Sequence, residues 1–578
     1  MRFTCAVLLC LVTAIQGVAQ SRDYYATNPA ELEEAISAAM PGETIVMGNG
    51  IWKDLSIQFD SEGTPGDTIT LRAETPGEVR LTGSSTLRIG GSYLKVDGLY
   101  FTEGGLTGGH VVQFRRNTST PAHHSRLTNT AIVDYNPLYD FTEYKWVSIY
   151  GTHNRVDNSH FEGKTHDGAT LVVWLSDEPN YHKIDNNYFG PRPDLGKNGG
   201  ETIRIGTSDW SLYPSHTLVE RNLFDRCDGE IEIISNKSGD NTYRHNTFLE
   251  SAGTLTLRHG DRARVDGNFF IGNEKANTGG VRIIGEDHVV ANNYFEGLRG
   301  SGYRTPISIV NGVPDSPLNR YFQVKRALVA HNTIVDSYSA FEIGSGSSSE
   351  QSLPPEDVVI ANNIVSNVER PRINMVVEDD EPIRLTWSAN IMWGTTLGIA
   401  QPEGIDLVDP LLQEGDDGQW RPAEASPAVG AADLEYSPVE DDVEGRTRPA
   451  SPRTIGAHEI DVGAPPRRPL EKSDVGVTFS VNTHVETGHA NTSGIELTGY
   501  PNPFRSRTTV SVTVDRPGKV RLDVYDVLGR RVATLLDAVL NEGESRIRFE
   551  PNGLIAGVYL LSAHAEGRRV IHPIIYQP

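Results

Sequence analysis

Cysteine is scarce in this sequence, and scarcer still where a finished chain would use it. Of three cysteines, Cys5 and Cys10 fall at the extreme N-terminus, which leaves Cys227 alone. An intrachain disulfide is thereby excluded, and a chain of 578 residues must rely on its core. Basic residues are also in deficit. Lys and Arg number 52 against 76 Asp and Glu, for a net charge of −24. That balance argues against nucleic acid as a partner, because phosphate binding needs a basic surface. It also repels any polyanion at long range, so binding one would require a local cationic groove. After the N-terminus, no apolar run is long enough to span a bilayer.

What is present begins with a leader. Arg2, the apolar stretch Ala6–Ile15 and the small residues Gly17-Val18-Ala19 read as a signal peptide over residues 1–19. Leu9 ahead of Cys10 does not suit a lipoprotein signal.

The middle of the chain repeats. An asparagine shortly precedes an aromatic or aliphatic residue at Asn158, Asn187, Asn222, Asn246, Asn268, Asn293, Asn332, Asn363 and Asn390. Short β-branched runs such as Thr254–Leu257, Val281–Ile284 and Val358–Ile360 lie between them. Several short strands per repeat, with a polar residue at one turn, predict a right-handed parallel β-helix over residues 20–460. A leucine-rich repeat would need a denser leucine pattern. Asn28 as N-cap, Pro29 and the apolar Leu32, Ala35, Ile36 and Ala39 predict a helix over 30–40 that caps the first coil. Residues 461–497 lose this periodicity and read as a linker. Alternating strands from 498 to 578 predict a small β-sandwich.

One stretch carries chemistry. In Gly229-Glu-Ile-Glu-Ile-Ile-Ser-Asn-Lys237 the strand period sends Ile231 and Ile233 to the core and Glu230 and Glu232 outward. Two carboxylates about 7 Å apart on one strand repel unless a cation lies between them, and calcium suits such oxygen ligands. Asn198 and Glu201 offer further oxygens in the preceding coil. If Leu255 and Leu257 stack on Ile231 and Ile233, Arg258 approaches the end of the glutamate strand, close to Lys237. Arg204 and Arg282 occupy similar places in neighbouring coils. A plain ion-pair ladder on a solvated face is the competing reading.

Two resemblances follow from motifs. Tyr500-Pro-Asn-Pro-Phe504, Val524-Tyr-Asp-Val-Leu-Gly-Arg-Arg-Val532 and Leu554-Ile-Ala-Gly-Val-Tyr-Leu560 resemble the C-terminal sorting domain of type IX secretion substrates. That implies export and the type IX machinery as a partner. Asn198-Gly-Gly-Glu-Thr-Ile-Arg-Ile-Gly206, Cys227-Asp-Gly-Glu-Ile-Glu-Ile-Ile-Ser-Asn-Lys-Ser238 and Leu257-Arg-His-Gly260 resemble polysaccharide lyase family six, which holds alginate lyases and chondroitinase B. The resemblance covers roughly 21–460. It implies Lys237 as base, Arg258 as acid, and Asn198, Glu230 and Glu232 as calcium ligands, with Glu201 an open alternative to Asn198. It further implies Arg204, His259, Arg282, Tyr303 and Arg304 along a sugar groove. The expected activity is calcium-assisted β-elimination on alginate. Dermatan sulfate is the alternative substrate, and a non-catalytic glycan-binding solenoid the alternative protein. A hydrolase on the same solenoid would need two carboxylates bracketing a water, without the lysine and arginine.

Overall fold

The computed structural model describes residues 23–578, apart from 138–141, 368–373, 395, 461–464, 482–494 and short gaps at 501, 503, 515, 527–529, 542, 552, 566–567 and 578. The leader and part of the linker therefore lie outside the described residues. The chain divides into one unit over residues 1–483 and another over 484–578.

Short strands of two to seven residues stack coil upon coil in the first unit. Among the described residues they form three 14-stranded sheets, parallel throughout except for one short hairpin, Arg115–Asn117 with Thr120–His123. Each coil places one strand in each sheet, so inward side chains form continuous ranks along the axis. Leu171, Ile203, Ile234, Leu255, Val281, Ile307 and Phe341 make one such rank in the second sheet. All belong to a single hydrophobic core that runs the length of the solenoid.

The repeated asparagines explain why the coils keep register. At each turn the Asn side-chain oxygen accepts from the backbone N–H and the side-chain amide of the preceding coil's asparagine. Asn222, Asn246, Asn268, Asn293, Asn332, Asn363 and Asn390 continue this ladder from Asn187, with contacts of 2.9–3.1 Å. Asn158 was expected in the same series, but Ser159 occupies that rung, bonding Asn187 through its backbone N–H. Asn158 instead takes the left-handed conformation (φ 45°) one residue earlier, where asparagine is tolerated. Phe161, Phe189, Phe224, Phe248, Phe270 and Phe295 stack beside the ladder at 4.5–5.3 Å. Asn268→Ala would leave a buried amide and a buried carbonyl oxygen without partners. It should cost about 1–3 kcal/mol, read as a lower urea midpoint; an unchanged midpoint would remove the ladder as a source of stability.

The first coil is closed by the helix Pro29–Ala38. Asn28 caps it by accepting from the Glu31 N–H, and Leu32, Ala35 and Ile36 are buried beneath it.

The outer faces of the three sheets differ. The first carries a ladder of ion pairs, with Arg155 against Asp185 and Lys183 against Glu220. The third is covered by the chain's own C-terminal passage. Val443 and Ala457 pack on Phe269, Tyr294 and Val335, and Ala428 and Ile455 on Ile364 and Ile391. Residues 465–481, read from sequence as linker, then turn back along this face. The Leu470 N–H donates to Thr247, the Gly476 N–H to the Asn186 carbonyl, and the Thr478 N–H to Asn129. Val475 packs on Tyr188, and Phe479 on Tyr100. Their alternate apolar residues, too few to signal a strand, suffice for a strap. The second sheet keeps its outer face for other use.

The second unit has a three-stranded and a four-stranded antiparallel sheet. Val510, Val512 and Phe549 from one and Val520, Leu522, Val524 and Leu561 from the other share a core, which makes a β-sandwich.

Candidate functional site on the second sheet

The strand Glu232–Lys237 lies between Ile203–Ile205 and Thr254–His259. Its register differs from the sequence expectation. Leu255 pairs with Ile234, and Leu257 with Asn236, because irregularities fall after Glu232 and after Asn236. Asn236 consequently points inward. It is fully satisfied there, donating to the Ser238 and His259 carbonyls and accepting from Asn241 and the Tyr243 hydroxyl. The second irregularity pairs Lys237 with His259 and leaves Arg258 as an extra outward residue beside Lys237. This shift, which no local pattern announces, puts the lysine and the arginine side by side.

The carboxylates gather next to them. Glu230 and Glu232 are each 9% exposed, and Glu201 4%. Burial, then the charges of Glu201 and Glu232, push the Glu230 carboxyl up to about 8, against the pull of Lys237 and the Gly199 N–H. Glu232 accepts from the Ser235 hydroxyl at 2.5 Å and lies 3.6 Å from Arg258 Nε and 3.8 Å from Arg282 Nη1. Glu201 faces Arg204 Nη1 at 3.9 Å, but its Oε2 is buried without a hydrogen-bond partner. Asn198, the other candidate from that segment, is exposed. Among the described residues no three His, Cys, Asp or Glu side chains close up into a ready-made metal centre.

Arg258 is locked in orientation. Its Nη1 and Nη2 donate to the carbonyls of Arg320 and Asn319 at 3.0 and 3.2 Å, and its guanidinium lies 4.2 Å from the Tyr321 ring centroid. Burial lowers its proton affinity despite the opposing charge of Glu232. Arg282 lies 4.2 Å from the Tyr303 ring centroid and donates to the Tyr321 hydroxyl at 3.1 Å. Tyr303 and Arg304 sit on a short turn held by Glu342, which accepts from the Gly302 N–H and the Thr305 hydroxyl. Arg204 Nε, Arg282 Nε, Arg304 Nε and Ser308 Oγ are further buried polar atoms lacking partners. Native proteins rarely tolerate so many such groups unless something else satisfies them.

His259 was expected along the sugar groove. It is buried at 1% exposure, with Nε2 3.2 Å from the Ser208 hydroxyl and its ring edge-on to Phe322. Burial, then Arg258 and Lys237, pull its pKa down to about 3, which favours the neutral imidazole. Tyr321 carries two arginines and was missed from sequence, because it stands in a loop more than 60 residues from Arg258 with no repeat to mark it. Trp174, 5.4 Å from the Arg204 guanidinium, was also missed. Its outward position could have been read from the alternation in Leu171-Val-Val-Trp174.

Fold and site define the class first: a parallel β-helix with one open face on which carboxylates, a lysine and arginines converge, followed by an antiparallel sandwich. Comparisons then give the family. The family model described as chondroitinase B matches residues 26–432, and the secretion system C-terminal sorting domain matches 498–577. The alginate lyase AlyGC, of polysaccharide lyase family six, is 38% identical with a TM-score of 0.69, over 80% of this chain and 59% of its own. The chain thus spans less than two thirds of AlyGC. A mannuronic acid specific family six lyase from human gut microbiota is 31% identical (TM-score 0.60), over 67% of this chain and 91% of its own. A family six alginate lyase solved with a trisaccharide is 26% identical (TM-score 0.61), over 72% and 93%. No curated protein sequence matches. The chain belongs to the chondroitinase B family, polysaccharide lyase family six. Its sorting domain marks it as secreted or held at the cell surface. No helix among the described residues is long and apolar enough to cross a membrane.

Proposed function

We propose that this protein is a polysaccharide lyase that cleaves alginate by β-elimination, with calcium held beside the base. The observation that carries the reading is the adjacency of Lys237 and Arg258 on an outward face, next to three carboxylates. Family membership supports the lyase class, and the alginate lyases among the relatives support the substrate.

The residues fit a hard divalent cation. Glu201 Oε2 is an orphaned buried oxygen, and Glu230 is crowded by two like charges. Glu230, Glu232 and either Glu201 or Asn198 would hold calcium, which neutralises the uronate carboxylate and so acidifies C5. Lys237 takes the C5 proton through Nζ. The electron pair forms the C4–C5 double bond as the C4–O4 bond breaks. Arg258, fixed by two carbonyls and Tyr321, faces the departing O4 and supplies its proton, a transfer favoured by the burial of the guanidinium. Arg282 and Arg204 would pair with the carboxylates of neighbouring sugars.

Incubation with alginate should give a rise in ultraviolet absorbance from the unsaturated uronate, and chelator should abolish it. A rise on dermatan sulfate alone would keep the chemistry and change the substrate. No rise on either polymer, with binding retained, would leave a glycan-binding solenoid.

A further inference from the structure

Arg192 takes no part in the chemistry described so far. It stands on the turn between the strands Tyr188–Phe189 and Ile203–Ile205 and is 4% exposed. Its Nη1 donates to the Glu201 carbonyl at 3.1 Å and its Nη2 to the His166 carbonyl at 3.0 Å. The His166 carbonyl also accepts at 2.9 Å from Nζ of the buried Lys164. Toward the next coil the Arg192 backbone is paired twice: its N–H donates to the Arg226 carbonyl and its carbonyl accepts from the Asp228 N–H, each at 3.2 Å. The residue thus ties together three successive coils, two of which carry the carboxylates of the site.

The segments it holds are in direct backbone contact. A Cβ on Gly200 would lie 2.2 Å from the Gly229 carbonyl oxygen. One on Gly229 would lie 2.2 Å from the Gly200 carbonyl oxygen and 2.7 Å from Arg192 Nε. No side chain fits at such distances, so both positions need glycine. Glu201 and Glu230 follow these glycines immediately. The spacing of the two carboxylates therefore depends on how the two backbones meet, and the Arg192 guanidinium packs against the point where they do. Burial pulls this guanidinium down to about 10, against the opposing effects of Cys227, Glu201 and Glu230. Groups that hydrogen-bond the residues around a metal orient its ligands and set its affinity.

We infer that Arg192 is a positioning residue for the carboxylate cluster: by holding the Glu201 carbonyl and packing under Gly229, it fixes the spacing of Glu201 and Glu230 and so sets the affinity for the divalent cation. This inference rests on the calcium reading above. Charge and geometry predict opposite signs here. The positive charge of Arg192 by itself repels a divalent cation, so losing the charge alone would tighten calcium binding. Losing the geometry would weaken it, because the ligands would no longer be held at one spacing.

Calorimetric titration of the full chain with calcium chloride tests it. Arg192→Met should weaken calcium binding about tenfold. Arg448→Met is the control: Arg448 is equally buried, but it holds the Thr454 and Gly456 carbonyls of the C-terminal passage. That variant should lower Tm and leave calcium affinity within twofold. Unchanged or tighter binding by Arg192→Met, or equal weakening in both variants, would overturn the inference. Arg192→Lys keeps the charge but can hold only one of the two carbonyls, so it should lose about threefold. It decides the question alone if Arg192→Met fails to fold, and full retention of affinity would then overturn the inference. If the unaltered protein binds no calcium, the calcium reading fails by itself. Hydrogen exchange at residues 198–202 and 228–232 then decides the role of Arg192: faster exchange in its variant than in Arg448→Met supports positioning, and equal exchange overturns it.

Discussion

Lys237→Ala should lower kcat on alginate by about a thousandfold or more while polymer affinity changes only a few-fold, since removal of a positioned general base costs that much and little binding. Lys237→Arg is the sharper variant. It keeps the positive charge beside Glu230 and the approximate length, but a guanidinium stays protonated and cannot take the C5 proton. Equal inactivity of both variants would separate base catalysis from simple charge pairing. Retention of a tenth or more of the activity by Lys237→Arg would remove the lysine from the role of base. Steady-state kinetics beside equilibrium binding of polymeric alginate make the distinction.

Removal of calcium should cost stability in a pH-dependent way. The Glu230 carboxyl is pushed up to about 8 from an ordinary value of 4.5. Between those values the metal-free folded protein holds a proton that the unfolded chain has released. The stability it contributes is therefore present below about 4.5 and lost as pH rises toward about 8. A bound cation favours the carboxylate and cancels that loss. The rise in Tm on adding calcium should thus exceed the rise at pH 5 by a few degrees when measured at pH 8. Equal shifts, or a larger one at pH 5, would separate Glu230 from the metal. Calcium removal should also lower kcat/KM at least about a hundredfold, because the uronate carboxylate would keep its charge.

The solenoid was legible because its physics is local and repeated. Each coil needs alternating apolar residues for the shared core and an amide at the turn, and both recur in the sequence from Asn187 to Asn390. Ser159 at the Asn158 rung shows the limit, since adjacent polar residues at a turn look alike until hydrogen bonds choose between them. The path of the segment read as linker was not legible for a related reason. Residues 465–481 lie extended on a ready-made apolar face, and such a segment needs no periodicity of its own.

By itself the sequence determined the class of fold, the second all-β unit and the residue types of the site, because strand alternation and the Glu-x-Glu…Lys and Leu-Arg-His-Gly motifs are read over a few positions. The nearness of Arg258 to Lys237 is already legible in the sequence, but only the tertiary structure decided the register through which they meet. Two register irregularities turn Asn236 inward and set Arg258 beside Lys237. A distant loop brings Tyr321 under two arginines, and the stacking of coils buries His259 to 1% exposure. Register, loop return and burial are properties of stacked coils rather than of any one coil, and so no segment read alone contains them.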